Sequence, residues 1–345
     1  MNLKRFSFVI FSSALVVSAC AARPQDCARA DVFCAGLVTD FGPVDAGINQ
    51  EAWQGILDAK EANHFDRTDA IETIDVRDRD RNISVFAEEG YDVIITTGAS
   101  ISDETAAAAA KYPKILFIGV DQPQVQMLPN LSGLVFHEDR SGFLAGALAA
   151  MTTQTQQVAA VCEEKFIDVM RRYCDGFQSG ARYIDPNVHV SVAYREGPTE
   201  KLFDDPDWGA ATALNIIDKG ADILFAAGGG TADAALETAA GQNVYVIGAE
   251  TDVYSQMNDV RPWLLTSSIN DVRSGIKELL RLVREGHFPS GNYFSQSRLA
   301  PFHELERQIP QSTKDQLTLI ESGLSSGKIL TGIPWQVNEP LNPFP

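Results

Sequence analysis

The chain has 345 residues, of which 45% are hydrophobic and 21% charged, and its 28 basic and 46 acidic residues give a formal charge of −18. It is too apolar for a disordered chain and long enough for about two domains. The acidic excess repels phosphate backbones and anionic lipid surfaces, which argues against a nucleic-acid partner and for covalent rather than electrostatic membrane attachment.

The chain opens with Lys4 and Arg5, a largely apolar stretch over 6–17, and Val17-Ser18-Ala19-Cys20. A short positive segment, an apolar core and small residues at a cleavage site form the pattern of a secretory signal peptide. The stretch is too short to span a bilayer comfortably, and no later run of about 20 residues is apolar enough to do so. The Val-Ser-Ala-Cys end resembles a bacterial lipobox. That resemblance implies a signal peptide over 1–19, lipidation of Cys20, and a tether over 20–30. Loss of the two signal-peptide cations takes the mature charge from −18 to −20. Export permits disulfides among the remaining cysteines. Cys162 with Cys174 is the expected pair, joining a strand end to the segment that follows it. Cys27 with Cys34 is the other pairing open to the chain, although Cys34, inside an apolar strand, also reads as a buried thiol. No C-x-x-C occurs.

Apolar runs bounded by turn residues then alternate with segments of helical spacing. Strands are expected at 32–39, 71–76, 91–97 and 114–120, with helices at 49–63, 79–89 and 102–112. A second series has strands at 131–136, 157–162, 188–194, 221–227, 244–248 and 263–268. Its helices are expected at 139–151, 166–184, 208–219, 231–240, 271–285 and 312–324. The strands are continuously apolar rather than alternating, which points to parallel sheets covered on both faces. The expectation is an α/β protein with two doubly wound parallel-sheet lobes around a cleft. Lobe 1 would hold 31–123 with about 250–286, and lobe 2 would hold 124–249 with about 287–345.

Ligands of such sheets bind beyond the carboxyl ends of the strands. At those ends stand Asp40-Phe41-Gly42, Thr97-Gly98, Asp121-Gln122, Gly228-Gly229-Gly230-Thr231, and Glu250-Thr251-Asp252. Glycines admit a ligand to the backbone, carboxylates accept paired hydroxyls, and aromatic faces stack on flat rings. Taken singly, Asp40 and Asp121 also read as turn or cap residues. It is their repetition across strand ends that points to a site.

Val38 to Gly42 followed by Asp45 to Gly55 (Asp-Ala-Gly-Ile-Asn-Gln-Glu-Ala-Trp-Gln-Gly) resembles the opening motif of the basic membrane protein family, the purine nucleoside receptors that serve ABC importers. Further matches follow in order along nearly the whole mature chain: 118–121, 140–147, 203–206, 220–223, 228–231, 246–252 and 265–267. The resemblance implies the type I periplasmic-binding-protein fold, a nucleoside-like ligand in the cleft, and a permease partner. It assigns polar contacts to Asp40, Asn49 and Asp121, ribose hydroxyls to Asp252, stacking to Phe203, and close backbone approach to Gly228 and Gly229. In two places the chain departs from the family pattern. Ile48 stands where the family commonly has Phe, with Phe41 as a substitute, and Asn270 stands where it commonly has Lys. Another flat or polyhydroxy ligand is therefore open.

Enzyme signals do not cohere. Gly323-Leu324-Ser325-Ser326-Gly327 fits G-x-S-x-G, but it follows a helix rather than a strand, so it reads as a helix end. The glycine run at 228–230 could cradle a phosphate but lacks any nucleotide fingerprint. The five histidines show no metal spacing, and 75–82 lacks the glycine and terminal glutamate of a calcium loop. The expectation is a lipid-anchored, extracytoplasmic solute-binding protein without catalytic residues, metal or cofactor. A ligand sensor working through a membrane partner and an exported nucleoside or sugar hydrolase are the alternatives.

Overall fold

The computed structural model describes residues 26–334. The expected signal peptide, Cys20 and the start of the tether lie outside the described residues.

Two six-stranded sheets form two lobes. The first contains β1 (Cys34–Thr39), β2 (Arg67–Ile71), β3 (Val93–Thr97), β4 (Leu116–Val120), β5 (Leu131–Phe136) and β11 (Gly291–Ser295). Its order is β11-β5-β4-β3-β1-β2, parallel throughout. The second contains β6 (Gln157–Cys162), β7 (His189–Tyr194), β8 (Ile223–Ala227), β9 (Tyr245–Glu250), β10 (Leu264–Asn270) and β12 (Ser297–Leu299). Its order is β12-β10-β9-β8-β6-β7, and only β12 is antiparallel. The central strands β1, β3 and β8 are buried at every position, as sheets covered on both faces require.

Helices cover each face. In the first lobe α1 (Gly47–Asn63) and α8 (Val272–Arg284) bury Ile56, Ile276 and Leu279 against one face. On the other, α2 (Arg79–Glu88) and α3 (Ser102–Lys111) bury Ile83, Phe86 and Ala109. In the second lobe α4 (Glu138–Thr152), α5 (Asp168–Ile184) and α9 (Gln311–Ser325) enclose a core around Phe143, Phe177 and Phe225. The opposite face is covered by α6 (Pro206–Ile217) and α7 (Gly229–Gly241).

Small residues bring α4 and α5 unusually close. A Cβ on Gly142 would lie 2.2 Å from the Tyr173 carbonyl oxygen, and one on Gly146 would lie 1.9 Å from that of Phe177. Reciprocally, a Cβ on Gly176 or Gly180 would strike the carbonyls of Asp139 and Phe143, at 2.4 and 1.9 Å. This contact fixes Arg172 and Tyr173 of α5 beside Glu138, the first residue of α4.

The lobes are joined by three crossings, and the topology moves their expected positions. The chain crosses between β5 and α4, between β10 and α8, and between β11 and β12. Residues 131–136 therefore belong to the first lobe, because β5 extends that sheet in parallel register with β4. Residues 264–270 belong to the second, paired with β9. Residues 272–284 lie in the first lobe as expected, packed on α1, whereas 291–295 add a strand to it. The strand expected at 71–76 lies instead at 67–71. The apolar residues that suggested the later span, Ile74 and Val76, are exposed at the lobe rim.

Two disulfides are present. Cys27–Cys34 ties the arm before β1 to the start of that strand, and Cys162–Cys174 ties the end of β6 to α5. Cys34 is fully buried as well as bonded. Among the described residues no helix is long and apolar enough to cross a membrane.

Candidate functional site

The carboxyl ends of both sheets face the cleft, and the residues just past them decide its chemistry. In the first lobe Asp40 follows β1. Its Oδ2 accepts from Ser100 Oγ at 2.9 Å, while Arg79 Nε donates to its carbonyl at 2.8 Å. A Cβ on Gly98 would lie 2.3 Å from Asp40 Oδ2, so only glycine admits the carboxylate there. Burial raises the Asp40 carboxyl above its ordinary range, against the opposing pull of the Ser100 hydrogen bond.

Asp121 follows β4 in a left-handed conformation, φ 58°, which aspartate tolerates better than most residues. Its amide is held by Leu134 O at 2.9 Å. Its Oδ1 is buried and has no hydrogen-bond partner among the described residues. Burial raises its carboxyl well above the ordinary range, and the negative charges of Glu138 and Glu250 add to this while Arg172 opposes it.

Glu138 and Glu250 reach Asp121 from the other lobe. Glu138 is buried and accepts from Arg172 Nε at 2.7 Å, and Arg172 also pairs with Asp168. Glu250 ends β9, again with positive φ, 69°. Burial pushes its carboxyl up to about 7, with Asp233, Glu138 and Glu163 contributing like charge. Tyr173 completes the floor. It is fully buried, its hydroxyl has no hydrogen-bond partner among the described residues, and the charges of Glu138, Glu250 and Asp121 act on it.

A second cluster shapes the wall. Phe203 is 38% exposed and adopts φ 63°, a strained conformation for an aromatic residue. Its amide donates to Glu163 Oε2 at 2.9 Å. Gly229 abuts its backbone, since a Cβ there would meet Phe203 O at 2.9 Å. A Cβ on Gly228 would strike Glu163 Cβ at 2.6 Å. Glu163 also accepts from Thr231 Oγ1 and from the fully buried Arg195, which in turn binds Glu164 and Asp205. A buried ionic network thus holds the backbone of Phe203, with Gly228 packed on Glu163 and Gly229 on Phe203. Strained non-glycine residues concentrate here: Asp121, Phe203 and Glu250 all bear on the cleft.

The remaining residues expected at the site lie elsewhere or have their polar atoms engaged. Asn49 is buried. Its amide donates to the carbonyls of Phe41 and Pro43, and its oxygen accepts from Thr97, so it shapes the β1–α1 loop. Phe41 is 61% exposed at the rim. Asn270 accepts from Ser297 Oγ at 3.0 Å, fastening β10 to β12. Asp252 accepts from the Tyr254 amide and meets His303 Nε2 at 2.8 Å, with the His303 ring stacked on Tyr254. Glu250, two residues earlier, is the more buried acid, with Asp233, Glu138 and Glu163 acting on it as like charges. Glu138, Glu163, Arg172 and Tyr173 were likewise not anticipated. The Cys162-Glu163 and Tyr173-Cys174 neighbours carried a usable signal, because the expected disulfide places both beside one strand end. Among the described residues no group of three or more His, Cys, Asp or Glu is placed to hold a metal ion.

Solved structures share this architecture. A solute-binding protein of an ABC transporter system from Aeropyrum pernix superimposes with a TM-score of 0.69 at 19% identity, covering 86% of this chain and 92% of that one. A transcriptional activator of comK from Bacillus halodurans gives a TM-score of 0.70 at 20% identity, covering 84% and 96%. At such identities the likeness shows the fold alone. Sequence relatives include a CD4+ T-cell-stimulating antigen of Listeria innocua, 28% identical over 82% of this chain and 84% of that protein. Another is the ABC transporter nucleoside-binding protein BmpA of Lactococcus lactis, 26% identical over 74% of this chain and 76% of that protein. Residues 35–295 match the PnrA-like ABC transporter substrate-binding proteins, the Bmp family, and the chain belongs to that family.

Proposed function

We propose that this substrate-binding protein is lipid-anchored outside the cytoplasm, captures a nucleoside-like molecule between its lobes, and delivers it to an ABC permease. The observation that carries the ligand class is the pairing of a ring platform with a carboxylate floor. Phe203 is 38% exposed with its backbone packed on Gly229, and Asp40, Asp121, Glu138 and Glu250 stand at or just past strand ends. A flat heterocycle fits the first feature and donor groups fit the second. The relative named as nucleoside-binding supports the same reading. Closure of the lobes about the three crossings would enclose the ligand.

Thermal-shift measurements with adenosine, guanosine, inosine and free ribose test the ligand class. A ligand at a hundred times its dissociation constant adds about 2.7 kcal/mol to stability and raises the melting temperature. Nucleosides are expected to shift it and free ribose is not; the reverse pattern overturns the nucleoside reading. Cys20→Ala tests the anchor separately, by moving the exported protein from the membrane fraction to the soluble one.

A further inference from the structure

The cleft floor gathers more carboxyl groups than cations to pair with them. Asp40 and Asp121 enter from the first lobe, Glu138 and Glu250 from the second, and each of these carboxyls is raised chiefly by burial. Arg172 faces them, but it is engaged with Glu138 and Asp168. Asp233 of α7 and Glu163 past β6 add further like charge at Glu250. Arg79 acts on Asp40 from the first lobe, and Asp139 lies next to Glu138.

Two buried polar atoms stand out among the groups that interact with this cluster. The Tyr173 hydroxyl is fully buried and without a hydrogen-bond partner among the described residues, and so is Asp121 Oδ1, in the opposite lobe. Both feel the charges of Glu138 and Glu250. Buried polar groups are ordinarily satisfied, so an orphan on each side of a cleft marks a place where a ligand group completes the pairing. The surrounding carboxylates require that group to donate, and their excess charge in a water-poor cleft favours a cation.

We propose that the ligand carries a positive charge, a cationic heterocycle or ammonium-type nitrogen, that sits between Asp121 and Glu250 and joins the two lobes. This rests on the nucleoside-like reading for the rest of the ligand, although the charged group is recognised independently of it. A cation would also drive closure, because without it the approach of the two lobes brings like charges together.

The test is calorimetry on the full chain in detergent at pH 7. It compares adenosine with 1-methyladenosine and cytidine with 3-methylcytidine, in each case a neutral nucleoside with its cationic counterpart, and includes thiamine as a cationic heterocycle without a ribose. The methylated cations are expected to bind at least tenfold more tightly than their parents. Asp121→Asn and, as a second variant, Glu250→Gln should bring that ratio to within about twofold. The preference should grow from pH 6 to pH 8 as Glu250, pushed up to about 7, ionises. If neutral and cationic nucleosides bind equally and both variants leave the ratio unchanged, the charged-ligand inference falls while the nucleoside reading stands. If no nucleoside binds but thiamine does, and Asp121→Asn abolishes it, the inference stands and the nucleoside reading falls. If none of the five binds, both fall.

Discussion

Arg195→Met gives the sharpest test of the buried network behind the Phe203 platform. Arg195 is fully buried. Its Nη1 donates to Glu163 and Glu164, its Nε to Asp205 and its Nη2 to the Pro198 carbonyl. Methionine keeps most of the apolar volume and removes all four hydrogen bonds. Lys201 remains, paired with Asp205. Glu163, with a fully buried side chain, is then left as an uncompensated buried charge. Breaking a buried pair from one side costs about 3–5 kcal/mol. At about 2–4 °C per kcal/mol for chains of this size, the melting temperature should fall by roughly 6–20 °C. Glu163→Gln is the calibrating variant. Its amide oxygen can still accept from the Phe203 amide and Thr231, but its amino group then confronts Arg195 and the Glu164 amide, a loss of about 1–3 kcal/mol. Urea unfolding followed by circular dichroism would measure both. An Arg195→Met variant within 1 kcal/mol of wild type, or less destabilised than Glu163→Gln, would refute the reasoning.

Gly146→Ala places a methyl group 1.9 Å from the Phe177 carbonyl oxygen, so α4 and α5 must move apart. A loss of about 1–3 kcal/mol is expected in the same unfolding assay, and an unchanged midpoint would show that the helices are not in close contact. The disulfides close loops with sequence separations of 12 and 7 residues. Chain entropy gives about 3 kcal/mol for Cys162–Cys174 and about 2.5 kcal/mol for Cys27–Cys34, so paired Cys→Ala variants should lose stability in that order under oxidising conditions. Equal stability of the oxidised protein and both double variants would count against either bond forming. For pH dependence, the Glu250 carboxyl is raised from 4.5 to about 7 in the folded state. Between those values the native state holds a proton that the unfolded chain has released, so stability falls as pH rises through that window and levels off above it. Glu250→Gln should remove this part of the slope, and identical slopes for the two proteins from pH 5 to 7 would contradict the assignment.

The alternation of strands and helices was legible because parallel strands must be apolar on both faces, and that property is written locally. Cys34 to Thr39, Val93 to Thr97 and Ile223 to Ala227 show it without exception. The edge strands were harder. β2 is half-buried along its length, and Ile74 and Val76, which drew the expectation further along the chain, lie exposed beyond it. β11 and β12 are short and mixed in character, and they exist because β5 and β10 offer free edges. No local pattern encodes that.

The cleft divides in the same way. That acids, glycines and an aromatic residue gather at strand ends is readable locally, since each strand end is a local feature. Which of them are buried and which are paired depends on the assembled lobes. Asp252 and Glu250 are two residues apart. His303, some fifty residues away, draws the Asp252 carboxylate, while the left-handed backbone at Glu250 accompanies a carboxylate facing the charges of the floor. Asn49 and Asn270 are engaged by loops whose closure depends on remote contacts. Arg172 meets Glu138 because glycines on α4 and α5 let those helices approach closely. Burial and pairing are set by partners distant along the chain, so they became visible only once the lobes were assembled.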